Sequence, residues 1–196
     1  MYVSDLRITK RQTQIIMGSI LGGASIVKPA GGKNYYMSMR CKDLRWLQWK
    51  AAELREISTE HPIKSDDRTF RWRSLSYPLF AEMREKFYKD SRRYVDVDKI
   101  SEIDSVGLAI WFADCGHIKD NRVFFNTHVF GRENTDRIKE YFTLCGWDSR
   151  VTTDRRCYRI QFSEESTKHI IKMMDPFLPI FKLEELYGHS KIDKEL

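Results

Sequence analysis

Nine residues near the middle of the chain, Leu108 to Gly116 (LAIWFADCG), are apolar for six positions, turn polar at Asp114 and end on glycine. A helix that is apolar nearly all round belongs in a core, and a polar last turn followed by glycine places that end at an edge or cleft. The same pattern occurs earlier in Ile16 to Ala24 (IMGSILGGA). Matching the two ends sets Gly23 opposite Cys115, close to half of the 196-residue chain apart, so the chain reads as one unit written twice. Small residues lie one helical turn apart in each copy, Gly18 with Gly22 and Ala109 with Ala113. Such pairs let another backbone approach closely, which predicts that the two helices pack on each other.

The other elements follow from period and punctuation. Thr9 and Gln12 have capping-box spacing and start the first helix, whose Ile15, Ile16, Ile20 and Leu21 point inward. Ser25 to Val27 and Asn34 to Cys41, separated by Pro29-Ala30-Gly31-Gly32, read as a hairpin. Its second arm alternates Tyr35, Met37 and Met39 with Tyr36, Ser38 and Arg40. Asp43 caps a predicted helix to about Ile57, and Thr69 to Ser74 alternates Phe70 and Trp72 with Thr69, Arg71 and Arg73. Tyr77 to Tyr88 is an amphipathic helix, and the charged stretch Asp90 to Ser101 is the expected linker.

In the second half, Arg122 to His128 alternates Val123, Phe125 and Thr127 with Arg122, Phe124, Asn126 and His128. Gly131 to Leu144 reads as a helix, Trp147 to Thr153 with Arg155 to Phe162 as a hairpin, and Ser163 to Met174 as a last helix before Pro176 and Pro179. The order helix, hairpin, helix, strands, helix is thus repeated.

A net charge of +6 and a pI near 9.1 permit a polyanionic partner without requiring one. Cys41, Cys115, Cys145 and Cys157 form no C-x-x-C pair and no zinc spacing, so reduced thiols and an intracellular setting are expected. No apolar run is long enough to span a bilayer, and the N-terminus lacks the apolar core of a signal peptide.

Both apolar helices resemble the motif helices of LAGLIDADG homing endonucleases in their single-chain, two-repeat form. Thr9-Lys10-Arg11-Gln12 leads into the first motif, Ser74 to Tyr88 resembles the helix closing the first half, and Met174 to Leu183 (MDPFLPIFKL) resembles the terminal segment with its prolines and lysine. The resemblance implies an α+β fold of two pseudo-symmetric repeats (αββαββα-like), residues 1–98 and 99–196. Antiparallel sheets would form a saddle, with the motif helices at the centre of one compact pseudo-dimeric unit. In that family each motif helix ends in an acid that holds divalent metal at the scissile phosphate. The matching positions here are Gly23 and Cys115; glycine offers no side chain and a thiol is too soft for Mg²⁺.

The resemblance turns the polar strand faces into a candidate double-stranded DNA surface: Arg40, Arg71, Arg73, Arg122, Asn126, His128, Arg159 and Gln161, joined by Lys28 and Lys33 in the first hairpin. Arg, Lys, Asn and Gln on a β-ribbon reach base edges and phosphates in the major groove. Lys182 matches a family lysine near the cleaved phosphate, with Arg92 and Arg93 in the comparable place of the first half. Asp114 is the residual acid, expected to cap or hydrogen-bond locally. A metal site made with Cys115, His117 and His128 is disfavoured because adjacent helical positions diverge. The expected function is sequence-specific binding of duplex DNA by a monomer that neither cleaves nor holds a metal. The alternatives are an active endonuclease using Mg²⁺ and a component of an intron-RNA maturase or ribonucleoprotein.

Overall fold

The computed structural model describes residues 7–59, 63–64, 68–155 and 157–187. Its centre is a pair of helices, α1 (Lys10–Gly22) and α5 (Ser105–Cys115). The Thr9 side chain accepts from the Gln12 amide at 3.2 Å while the Gln12 side chain accepts from the Thr9 amide at 2.9 Å, the expected capping box. Asp104 caps α5 by accepting from Val106 and Gly107. Gln14 ties the two starts together, donating to the Glu102 carbonyl and accepting from the Asp104 amide, each at 2.9 Å.

These contacts fix the direction of packing. Gln14 lies beside Gly107, Gly18 beside Gly107 and Ile110, and Gly22 beside Asp114, so the helices run parallel and their C-terminal ends arrive side by side. A Cβ on Gly18 would overlap the Gly107 carbonyl oxygen. The small residues that let α1 approach are therefore Gly18 and Gly22, as the sequence indicates, but their counterparts on α5 are Gly107 and the Asp114 side chain. Ala109 and Ala113 are buried as well.

Each repeat then lays down a four-stranded antiparallel sheet. The first is β1 (Ser25–Val27), β2 (Tyr36–Cys41), β4 (Phe70–Arg73) and β3 (Ile63–Lys64), in that spatial order. The second is β7 (Gly116–Lys119), β8 (Arg122–Asn126), β10 (Cys157–Phe162) and β9 (Ser149–Asp154), the same order one repeat later. Alternation sends Met37, Met39, Trp72, Val123, Phe125, Ile160 and Phe162 into the core, where all are 2% exposed or less. Helices α2 (Leu44–Glu53), α3 (Leu79–Phe87), α6 (Gly131–Leu144) and α7 (Glu164–Met174) contribute Trp46, Phe80, Phe142 and Ile170 to the same core. The mixed α/β architecture with two antiparallel sheets is the one expected.

Several boundaries differ from the sequence reading. Helix α2 ends at Glu53 and a 3-10 turn, Arg55–Ile57, follows, because Leu54 leaves helical geometry. The stretch expected to be a linker contains strand β6 (Arg92–Arg93), which pairs with β5 (Tyr88–Lys89) immediately before it, and helix α4 (Val97–Ile100). Asp90 and Ser91 make the tight turn between those strands with φ of 48° and 62°. A hairpin also joins β7 to β8 through Asp120 and Asn121, at φ of 50° and 55°, and α8 (Ile180–Tyr187) follows Pro179. Asp and Asn tolerate this left-handed backbone, which explains how a turn forms there without glycine. No helix among the described residues is long and apolar enough to cross a membrane.

Candidate nucleic-acid interface

The face of each sheet turned away from the core is where the alternation places the polar side chains. On the first sheet Arg40 stands directly opposite Arg71, and Ser38 opposite Arg73. Arg40 is exposed, Arg71 half-buried, and neither has an ion-pair partner among the described residues. Like charges set directly across a strand pair destabilise the sheet. Two unpaired arginines in register are a cost to folding that a bound anion would remove. Arg73 lies over the Tyr36 ring, and Lys28 over Tyr35, at 5.7 and 5.8 Å, so both cations are held at the surface by aromatic neighbours. Lys33 is exposed in the loop of the hairpin.

The second sheet is more internally paired. Arg159 sits over the Phe124 ring at 4.8 Å, donates to Thr152 and pairs with Asp154, both at 3.2 Å. Gln161 accepts two hydrogen bonds from Arg150, and Arg122 pairs with Glu164 at 3.0 Å. Asn126 donates to the Cys115 carbonyl at 2.6 Å and so closes the end of α5. His128 stands exposed in a 3-10 turn beyond β8, off the strand face on which the alternation put it. Two residues of this face, His117 and Lys119, were missed because the β7–β8 hairpin was; Arg150, on the Trp147–Thr153 arm that the sequence does predict, was not singled out although it stands opposite Gln161. The Asp120-Asn121 pair, a common left-handed turn, was the signal that could have found that hairpin.

His117 stacks on Phe124 with ring centres 4.9 Å apart and planes 6° from parallel. Burial, and then the nearby Arg159 and Lys119, hold its pKa below the ordinary 6.5. The sign follows: the folded chain resists the proton that the unfolded chain accepts, so His117 costs stability as pH falls below about 6.5. A polyanion on this face would favour the imidazolium. Nucleic-acid affinity should therefore rise as pH is lowered from 8 to 6, and His117→Asn should flatten that rise; titrating affinity against pH for both proteins checks it.

At the paired helix ends the structure corrects the expectation for Asp114. It makes no local cap: it reaches across to α2, accepting from Lys50 Nζ at 2.6 and 2.9 Å and from Trp46 Nε1 at 2.6 Å. Lys50 is 3% exposed and the carboxylate 10%. A buried ion pair broken on one side leaves an uncompensated charge. Asp114→Ala should cost about 3–5 kcal/mol in chemical denaturation, by stranding Lys50. Arg93, from β6, donates to the carbonyls of Ile20, Gly23 and Ala24 at 2.6, 2.9 and 2.6 Å, satisfying the last turn of α1. Exposed Arg92 lines a cavity of about 870 Å³ between β6 and the start of α6. Lys182 is 4% exposed, bonded to Glu185 at 2.8 Å and set over the Trp46 ring at 5.5 Å. It is therefore enclosed rather than presented at the surface.

The comparisons with known proteins can be set against this geometry. Residues 13–170 match the family described as the LAGLIDADG DNA endonuclease family. The chain belongs to that family. The homing endonuclease I-WcaI bound to its DNA recognition sequence superposes with a TM-score of 0.84 at 16% identity, covering 93% of this chain and 88% of that one. I-DmoI in complex with DNA and Mn gives 0.53 at 15% identity, over 84% and 96%. Among curated proteins, RecA of Mycolicibacterium fallax is 25% identical over 114 residues, which is 56% of this chain and 26% of that protein. RecA of Mycolicibacterium flavescens is 24% identical over 115 residues, 56% and 27%. The chain thus spans about a quarter of the length of these curated relatives.

The family frame allows a test of whether the motif ends here suit a divalent ion. Gly23 has no side chain, and its φ of 126° is a backbone that L side chains rarely adopt, so an acid at this position would be strained. The Cys115 thiol donates to the Trp111 carbonyl at 3.4 Å, and burial, reinforced by Asp114, pushes its pKa up, which keeps it protonated. Asp114 already accepts three hydrogen bonds. Among the described residues no three His, Cys, Asp or Glu side chains converge to hold a metal. The donor set does not fit Mg²⁺, which requires free oxygen ligands.

Proposed function

We propose that the chain is a sequence-specific double-stranded DNA-binding protein built on the homing-endonuclease fold, and that it does not cleave. Its two repeats, residues 1–98 and 99–196, would supply one sheet each, with the exposed faces lying in successive stretches of the major groove. The observation that carries this reading is the Arg40–Arg71 register pair, like charges held together on a solvent face without a carboxylate partner among the described residues. Lys28, Lys33, Arg73, Arg122, Asn126, Arg159 and Gln161 extend that face. His128 and Arg92 lie at its margins, and Lys182 supports the helix ends from behind Trp46. Lys119 joins it from β7 and Arg150 from β9. Because both motif helices pack within a single chain, the active unit is a monomer.

Loss of cleavage rests on the motif ends. Hydrolysis of a phosphodiester needs a metal or a base to activate water. Gly23 offers neither, Cys115 is a protonated thiol, and Asp114 is neutralised by Lys50. The likeness to nucleases crystallised on DNA supports the binding half of the proposal and makes the catalytic half the one to test. A plasmid library should be incubated with the protein in Mg²⁺ or Mn²⁺ and its ends sequenced. No protein-dependent cut is expected. Recurrent cutting at one sequence would establish an active endonuclease, with Asp114 the first residue to replace.

A further inference from the structure

Two cations stand at the two motif-helix ends. At the end of α1 the Arg93 guanidinium bonds three carbonyl oxygens, and at the end of α5 the Lys50 ammonium bonds both oxygens of Asp114. They come from different places in the chain, one from β6 and the other from α2, and serve opposite repeats. Lys50, Asp114, Gly22, Gly23 and Arg40 line a single cavity of about 200 Å³, so the helix ends, the ion pair and the basic strand face adjoin one another.

The electrostatics of the spot explain what these cations do. Each helix C-terminus carries roughly half a negative charge, and two parallel ends side by side add up. Asp114 adds a full one. Phosphates brought close to this centre would meet about two negative charges, a repulsion too near to be screened at ordinary ionic strength. Arg93 and Lys50 supply two positive charges fixed by short hydrogen bonds. We infer that Arg93 and Lys50 are built-in replacements for divalent ions at the motif ends, so that the chain binds DNA without any divalent cation. The I-DmoI complex with DNA contains Mn; this chain instead carries its neutralising charges covalently. The inference rests on the DNA-binding reading and adds a property that the reading alone does not demand.

The test measures duplex affinity at constant ionic strength with EDTA or with Mg²⁺, for the wild type and for Arg93→Gln, Lys50→Gln and the charge-conserving Arg93→Lys. The wild type should bind equally in both buffers, within about threefold. Each glutamine variant, compared at a temperature where its circular dichroism matches that of the wild type, should lose about tenfold in EDTA, the loss expected from removing one neutralising contact. Arg93→Lys should retain most of the affinity. Mg²⁺ should restore part of the loss in Lys50→Gln, where the Asp114 carboxylate becomes free, and none in Lys50→Gln with Asp114→Asn. Calorimetric titration of the protein alone with Mn²⁺ should show no saturable site. A wild type that needs metal to bind, or a Mn²⁺ site that Asp114→Asn abolishes, overturns the inference while leaving DNA binding intact. Absence of duplex binding in either buffer overturns the DNA-binding reading and this inference with it.

Discussion

Replacing Gly18 with valine should prevent the chain from folding at ambient temperature. The Cβ would fall on the Gly107 carbonyl oxygen and 2.9 Å from Ile110 Cβ. Neither can give way, because Gly107 lies in the first turn of α5, pinned by Asp104 and Gln14, and Ile110 is 0% exposed. Overpacking usually costs 1–3 kcal/mol where side chains can shift; against backbone it should exceed about 4 kcal/mol, comparable to the whole stability of a domain. The two repeats have separate sheets, and this seam joins them. Near-ultraviolet circular dichroism and a denaturant titration check the prediction. A cooperative transition with a midpoint near that of the wild type would mean that α1 and α5 are not packed at Gly18.

The second large effect concerns binding. Arg40→Glu combined with Arg71→Glu should lower duplex affinity by about 100-fold or more at ~0.15 M salt and reduce the slope of log affinity against log salt by about two. Both side chains lie on the solvent face of the first sheet, so the core opposite, Met39 and Trp72, is undisturbed and the melting temperature should stay close to that of the wild type. Lys168→Glu, exposed on α7, is the control of equal charge change per site and should leave the slope nearly unchanged. Filter binding across a salt series reads all three proteins. If the double variant binds as the wild type does, the first sheet is not the contact surface.

Much of the fold was legible because it rests on periodicity. The all-apolar run Leu108 to Ala113, the Thr9–Gln12 box and the alternation in β2, β4 and β10 each state their own structure locally. What escaped the sequence depended on partners far away in it. Nothing around Asp114 announces Lys50, which lies 64 residues earlier, or Trp46, 68 residues earlier. Likewise the sequence sets Arg93 only in the place comparable to Lys182, and nothing in it announces the carbonyls at the end of α1 to which β6 brings it. The strand β7 was lost for a different reason: it follows α5 without a break, so the Gly116 that reads as a helix stop is also the first residue of a strand. The charged composition of Asp90 to Ser101 likewise concealed β6 and its pairing with β5, whose tight turn uses Asp90 and Ser91 rather than glycine.

In the proposed function the two sheets together read one duplex sequence. The most direct measurement is selection from a randomised duplex pool at ~0.15 M salt, without added metal, with structured RNA of equal length as competitor. The expected result is enrichment of one extended site, with a separate block of preferred bases for each sheet, and loss of the matching block alone when Arg71 or Arg159 is reversed in charge. A pool that stays random, or protein held by the RNA instead, would contradict it.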